Sequence, residues 1–103
     1  MSYALVMTTT SNLPEAEAIA QALLSDRWAA CIQVMPITSY YTWQGEYQRE
    51  GEYLLLIKAK AAHFAQIQAT IQANHSYQVP EIIQIPIVAG SDAYLEWINL
   101  VSR

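Results

Sequence analysis

The spacing of apolar and polar residues in the first third of the chain predicts a strand followed by a helix. Residues 3–9 form a short apolar run, which is typical of a strand. Asn12 then marks the start of a helix, because Pro14 falls in the first turn and Glu15 completes a capping-box pattern. The apolar residues of this helix recur at three- and four-residue spacing: Ala16, Ile19, Ala20, Leu23 and Leu24. We expect the helix to end near Arg27.

The middle of the chain predicts a second strand and a long aromatic hairpin. Residues 30–35 read as the strand, and Pro36 within its course indicates an edge position or a bulge. Residues 39–60 predict a two-stranded ribbon that turns at Gln44 and Gly45. Its aromatic residues are Tyr40, Tyr41, Trp43, Tyr47 and Tyr53. A ribbon of two strands buries little apolar surface alone, so we expect another copy of the chain to cover it.

The last third of the chain predicts a helix, an edge strand and a terminal helix. The second helix carries an inner face of Phe64, Ile67 and Ile71. Residues 82–88 predict the fourth strand, and Pro86 places it at an edge of the sheet. Ser91 caps the third helix. Its predicted inward residues are Tyr94, Leu95, Ile98 and Val101.

This order of elements predicts one α+β domain spanning residues 1–103. The order βαββαβ is that of a ferredoxin-like sandwich, here with a long hairpin between the second and third strands and an extra C-terminal helix. We expect the three helices to cover one face of an antiparallel sheet and to leave the other face bare. A bare sheet face beside an aromatic ribbon predicts a homo-oligomer.

Composition and charge exclude several classes of partner. The net charge is −4 with only five lysines and arginines, which argues against nucleic acid because phosphate binding needs clustered basic residues. No apolar run approaches membrane-spanning length. Cys31 is the only cysteine, so no intrachain disulfide forms and we expect a soluble, cytoplasmic protein. The one acidic concentration is Glu46, Glu50 and Glu52, which we interpret as solvated strand charges.

Few residues in the chain have side chains suited to catalysis or metal binding. Each of them can also be explained by a purely structural role. Cys31 lies among apolar residues, so it is either a small buried hydrophobe or a thiolate ligand for a soft metal such as Cu(I). His75 either binds free carbonyls near a helix end or acts as a metal ligand or general base. Pro80 fixes the backbone before Glu81, which makes His75 and Glu81 candidates for one site. Phosphate-loop and hydrolase motifs are absent from the sequence.

A set of short motifs, in order along the chain, resembles the CutA divalent-cation tolerance family of the PII-like superfamily. The motifs are Ala29-Ala30-Cys31, Pro36, Ser39-x-Tyr41-x-Trp43-x-Gly45, Leu56-Ile57-Lys58, His75-x-Tyr77-x-x-Pro80-Glu81 and Tyr94-Leu95-x-Trp97. The resemblance implies a ferredoxin-like subunit in a compact PII-like homotrimer. It also implies a role in tolerance of divalent or heavy-metal ions, notably copper. We do not expect the protein to be an enzyme.

The resemblance also assigns candidate site residues. Cys31 and His75 match the copper-contact positions proposed for the family, and Glu81 follows in the same motif. Positions that line the cleft between subunits correspond to Trp43, Lys58 and Tyr77. The chain departs from the family pattern at two places: Ser76 stands where a proline is usual, and Glu46 where a basic residue is common. The serine removes the fixed φ of proline next to His75.

Four functional hypotheses follow from these residues. The favoured one is a metal-binding homotrimer in which Cys31, His75 and Glu81 hold copper or a related divalent ion. The alternative is a PII-like signalling or small-molecule-binding trimer, whose intersubunit cleft takes an anionic ligand beside Lys58. An enzyme with Cys31 as nucleophile and His75 as base, and a scaffold that acts through a protein partner, are the other two.

Overall fold

The computed structural model describes all residues 1–103, and its elements follow the predicted order. They are β1 (Tyr3–Thr10), α1 (Leu13–Ser25), β2 (Cys31–Trp43), β3 (Glu46–Lys60), α2 (Phe64–Ala73), β4 (Ile83–Ile87) and α3 (Asp92–Val101). A single turn of 3-10 helix, Ala61–His63, precedes α2. The strands form one antiparallel sheet in the order β2-β3-β1-β4. The predicted α+β sandwich of βαββαβ order with an added C-terminal helix is therefore confirmed.

The hairpin of β2 and β3 is the longest paired unit of the sheet. Its register runs from Cys31 opposite Lys58 to Trp43 opposite Glu46. Gln44 and Gly45 both have positive φ, 51° and 79°, which is the backbone of a type I′ turn and matches the right-handed twist of the strands. Pro36 lies within β2, which is an edge strand as expected, and β2 continues through it without interruption.

The start of α1 confirms half of the capping-box prediction. The Asn12 side-chain oxygen accepts a hydrogen bond from the backbone N–H of Glu15 at 2.9 Å, as an N-cap does. The other half is wrong, because the Glu15 carboxylate accepts a hydrogen bond from the backbone N–H of Ser76 at 3.1 Å. Glu15 therefore holds a distant loop instead of closing its own helix end.

One face of the sheet packs against α1 and α2 to form the core. Alternate residues of each strand project to this face, since side chains along a strand point up and down in turn. The fully buried cluster joins strand and helix residues, among them Val6, Ile19, Leu23, Leu55, Ile57, Ile67 and Ile71. This face holds α1 and α2 in place. The other alternate residues of each strand project from the opposite face and are available for other contacts.

The third helix does not join the other two. Lys58 alternates with the buried residues Ile57 and Ala59 and so projects from the opposite face, where its Nζ lies 5.5 Å from the ring centroid of Tyr94. The prediction that all three helices cover one face is therefore wrong for α3. Ile98 is fully buried, whereas Tyr94 and Val101 are 39% and 37% exposed. Helical spacing indicates which side of α3 is apolar, but it does not tell which surface that side meets.

Most of the opposite face of the sheet is bare, as predicted. Met35, Ile83 and Ile85 project from it with 45%, 47% and 43% of their surface exposed. Half-buried residues of the central strands continue the same apolar surface: Leu5, Met7, Leu54 and Leu56. We call this surface the bare face. No helix of the chain is long and apolar enough to cross a membrane.

Candidate functional site: an acidic aromatic cleft

A cleft of about 710 Å³ lies between the outer half of the hairpin and the loop that follows α2. Its lining residues come from β1, the hairpin and the loop: Thr9, Ser39, Tyr40, Tyr41, Trp43, Glu50, Glu52, Ser76, Tyr77, Gln78, Val79 and Glu81. Ser39, Tyr41 and Trp43 stand at alternate positions of β2, in step with Met35, so they project to the same side of the sheet. The cleft therefore opens on the bare face.

The inner end of the cleft contains a buried carboxylate. Glu52 is only 7% exposed, and its Oε2 accepts a hydrogen bond of 2.6 Å from the Tyr77 hydroxyl. The residue lines the cleft. Burial, together with the hydrogen bond to Glu52, raises the pKa of Tyr77 well above its ordinary value. Tyr77 therefore stays protonated and keeps donating to Glu52.

A second tyrosine–glutamate pair lies farther out along the hairpin. The Tyr41 hydroxyl donates to Glu50 Oε2 at 3.0 Å, and this hydrogen bond raises the pKa of Tyr41. With Glu52 and Glu81, the cleft holds three carboxylates, and no lysine, arginine or histidine lines it. Its electrostatic character therefore favours a cation over an anion.

His75 fixes the loop that closes the cleft. A backbone N–H can only donate, so the Tyr77 N–H donates to Nδ1 at 3.1 Å, and Nε2 carries the proton that it donates to the Thr9 carbonyl at 2.7 Å. Glu15 Oε1 lies 3.3 Å from Nδ1, and the His75 side chain is 1% exposed. The carbonyl that His75 binds thus belongs to the end of β1, whereas we expected one from a helix end.

Cys31 lies at the other end of the hairpin. Cys31 pairs with Lys58, while Thr9, which binds His75, pairs with Leu54, four residues earlier in β3. At roughly 3.3 Å per residue, the two positions are about 13 Å apart along the strands. Nowhere in the chain are three or more His, Cys, Asp or Glu side chains grouped so that they could hold a metal ion. Within one copy, Cys31, His75 and Glu81 do not fit a metal ion.

The cleft brings together some of the predicted residues and leaves others out. Trp43, Tyr77 and Glu81 line it, whereas Lys58 contacts Tyr94 of α3. The sequence interpretation missed Glu52, which is buried instead of being a solvated strand charge. The sequence does contain a signal for this burial, because Glu52 lies two residues before the apolar Leu54 and therefore projects from the same side of β3.

Comparison with known proteins gives a consistent result. Residues 4–100 match the family described as CutA1 divalent ion tolerance protein. The divalent-cation tolerance protein CutA of Thermus thermophilus is 40% identical over 91% of this chain and 92% of its own length. The chloroplastic protein CutA of Arabidopsis thaliana is 37% identical over 95% of this chain, which spans 54% of that longer protein.

Solved structures agree along nearly the whole chain. The periplasmic divalent cation tolerance protein CutA of Archaeoglobus fulgidus superposes with a TM-score of 0.94 at 34% identity, covering 96% of this chain and 97% of its own. CutA1 of Oryza sativa superposes with a TM-score of 0.96 at 35% identity, covering 100% and 95%.

Proposed function

Because the chain belongs to the CutA1 divalent ion tolerance family, we propose that it is a homotrimer that confers tolerance by binding copper or a related divalent ion directly. The metal site is completed only where copies of the chain meet. Cys31, His75 and Glu81 are its candidate ligands, and they come from more than one copy.

The bare face supports the assembly. Its exposed apolar residues flank half-buried ones across all the strands, and such contiguous patches mark interaction surfaces. The neighbouring aromatic hairpin adds Tyr47, which is 71% exposed. The number of copies, three, rests on the family resemblance.

One observation carries the metal proposal. Cys31 and the cleft that contains Glu81 both open on the bare face, although they lie at opposite ends of the hairpin. A second copy that covers this face brings its own Cys31 or Glu81 against the first copy. Thiolate, imidazole and carboxylate together suit copper or zinc. His75 is free to bind metal only after its ring gives up the hydrogen bonds that now occupy both nitrogens, from the Tyr77 N–H to Nδ1 and from Nε2 to the Thr9 carbonyl.

The test is an anaerobic titration of the reduced assembly with Cu(I) and with Cu(II). We expect Cys31→Ser to weaken Cu(I) binding at least tenfold and Glu81→Gln to weaken Cu(II) binding. Glu96→Gln, an exposed carboxylate on α3, is the matched control and leaves both affinities unchanged. Affinity rises with pH because the ligands must be deprotonated. Equal binding by Cys31→Ser, His75→Gln, Glu81→Gln and the parent chain would rule the proposal out.

Small-molecule binding is the second candidate function, and the size of the cleft favours it. About 710 Å³ lies within the range of pockets that hold small organic ligands, and Trp43 and Tyr77 line it as expected. Lys58, which was to bind an anion, lies elsewhere. A ligand that raises the melting temperature without metal would favour this function.

No catalytic role is proposed for Cys31 and His75, because a nucleophile and its base must lie within hydrogen-bond reach of each other. Their positions along the strands keep them apart in one copy. We propose a cytoplasmic location from the single cysteine. The relatives differ in this respect, since one is described as chloroplastic and another as periplasmic.

A further inference from the structure

We propose that His63 is a pH sensor that controls how firmly the residues after α3 are attached to the rest of the chain. Ser102 and Arg103, which we call the latch, hold the end of α3 against the end of α1. Uptake of a proton by His63 loosens the latch, and loss of that proton restores it. The proposal does not depend on metal binding, because neither His63 nor the latch includes a candidate ligand or a residue of the cleft.

The latch is held by hydrogen bonds to the backbone and by contact with one aromatic ring. The Arg103 N–H donates to the Arg27 carbonyl at 2.9 Å, and Arg103 Nε donates to the Asp26 carbonyl at 2.7 Å. The Arg103 guanidinium carbon lies 4.6 Å from the centroid of the Trp28 ring. At the end of β3, Lys60 Nζ donates to the Arg103 carbonyl at 2.6 Å. A cation over an exposed ring is held weakly, so a new charge beside the ring competes with it.

His63 shares the Trp28 ring with Arg103. The imidazole lies edge-on to this ring, with the two centroids 5.1 Å apart and an angle of 76° between the ring planes. Trp28 packs against the hydrophobic core, and His63 is the last residue of the 3-10 turn that leads into α2. Both therefore lie on the helix-covered side of the sheet, and a second copy that covers the bare face does not reach this pair.

The position of His63 suits a neutral imidazole better than a charged one. His63 Nδ1 is buried and has no hydrogen-bond partner in the chain. An imidazolium carries an N–H on both nitrogens, and a buried donor without an acceptor is unfavourable. The Trp28 backbone favours the charged form, but it makes no hydrogen bond with Nδ1 in this arrangement. Protonation therefore moves the imidazole away from its contact with the Trp28 ring.

The charges around His63 act in the same direction. Burial lowers the pKa of His63, and the charges of Lys60 in β3 and of Arg103 in the latch lower it further. No carboxylate lies within ion-pair distance of its ring, since the only histidine ion pair is that of His75 with Glu15. His63 is therefore neutral at pH 7. As the pH falls through the lowered pKa, a new positive charge appears beside Lys60 and Arg103 and repels both.

The experiment is NMR spectroscopy of the isotope-labelled assembly between about pH 8 and about pH 5. The ring shifts of His63 report its protonation. The protection of the Arg103 amide against exchange, corrected for the intrinsic effect of pH, reports the latch. We expect this protection to fall about threefold as His63 takes up its proton, with the same midpoint. A His63 ring that stays neutral at about pH 5, or protection that does not follow its titration, overturns the proposal.

Matched variants assign the effect to this pair of side chains. His63→Gln cannot take up a proton, so we expect the protection of Arg103 to stay constant over the same pH range. Arg103→Gln removes the guanidinium over Trp28 and should raise the pKa of His63. Arg49→Gln is the control, because it removes a guanidinium that lies 5.7 Å from the Tyr40 ring centroid in the hairpin.

We expect the control to retain both the His63 pKa and the pH dependence of the parent chain. The same loss of protection in His63→Gln would overturn the proposal, because another group would then be the sensor. An equal pKa of His63 in Arg103→Gln and the parent would overturn it as well, since the latch and His63 would then not be coupled.

Discussion

At the residue scale, the cleft depends on side chains that reach between elements far apart in the sequence. Glu15 of α1 accepts from Ser76, and His75 joins Thr9 to Tyr77. The sequence predicts the Asn12 cap because the cap and the N–H that donates to it lie three residues apart. It does not predict the role of Glu15, since its partner lies 61 residues away and local spacing carries no information on such a contact.

The Glu15 contact can be tested within a single helix. Glu15→Ala removes the acceptor of the Ser76 N–H, and we expect a loss of about 1–2 kcal/mol in the free energy of unfolding. Glu17→Ala, an exposed residue of the same helix, is the control and changes it by less than about 0.5 kcal/mol. Denaturant unfolding measures both, and amide exchange at Ser76 should accelerate only in Glu15→Ala. Unchanged exchange there would show that Glu15 does not hold the loop.

The raised pKa of Tyr77 predicts how stability depends on pH. The folded pKa exceeds the unfolded value of about 10, so the stabilising effect is complete below pH 10 and declines as the pH rises above it. We expect the free energy of unfolding to fall above pH 10, by at most about 1.4 kcal/mol per pH unit for this group.

Tyr77→Phe tests this pH dependence directly. The variant leaves Glu52 without its donor and costs about 1–3 kcal/mol at neutral pH, and its stability falls less steeply above pH 10. Tyr47→Phe, at an exposed position of the hairpin, retains the slope of the parent. Parallel slopes for Tyr77→Phe and the parent would contradict the prediction.

At the element scale, the hairpin is the part that the sequence predicts best. Its aromatic strands and its turn at Gln44 and Gly45 are local patterns, and the structure places the turn there. The position of α3 is the part predicted worst. Tyr94 meets Lys58 on the face opposite the core, and nothing in the spacing of α3 distinguishes the two faces of the sheet.

Two substitutions in the turn of the hairpin are expected to change stability in opposite directions. Gly45→Ala puts a side chain at φ 79° and should lower the melting temperature, at a cost of about 1–2 kcal/mol. Gln44→Asn should raise stability by about 0.5 kcal/mol, because asparagine accepts the left-handed backbone better than glutamine. Gln48→Asn, within β3, gains nothing from this effect and is the control. A Gln44→Asn variant less stable than the parent would contradict the turn assignment.

At the scale of the whole molecule, the bare face is the feature that bears most on assembly. The sequence predicts that such a face exists, since the elements cannot cover both sides of the sheet. It does not predict that Cys31 and His75 lie apart, because register along the strands decides that distance. The cleft depends in the same way on long-range pairing that places Tyr77 over Glu52.

The bare face gives the prediction on assembly. Ile85→Glu places a charge on it and should shift the protein to monomers in sedimentation equilibrium. Leu24→Glu, on the outer side of α1, is the matched control, since the two residues are 43% and 44% exposed. We expect the control to sediment like the parent. A trimer that persists in Ile85→Glu would mean that copies meet elsewhere.

The two prolines at the borders of the sheet have a consequence for aggregation. Pro36 lies in β2 and Pro86 in β4, which are the two edge strands. Proline has no N–H, so neither border presents an unbroken row of donors to an incoming strand. Open-ended stacking of sheets into fibres therefore meets a gap at each border. The chain can expose a large apolar face and an aromatic hairpin and still be directed toward a closed assembly of few copies.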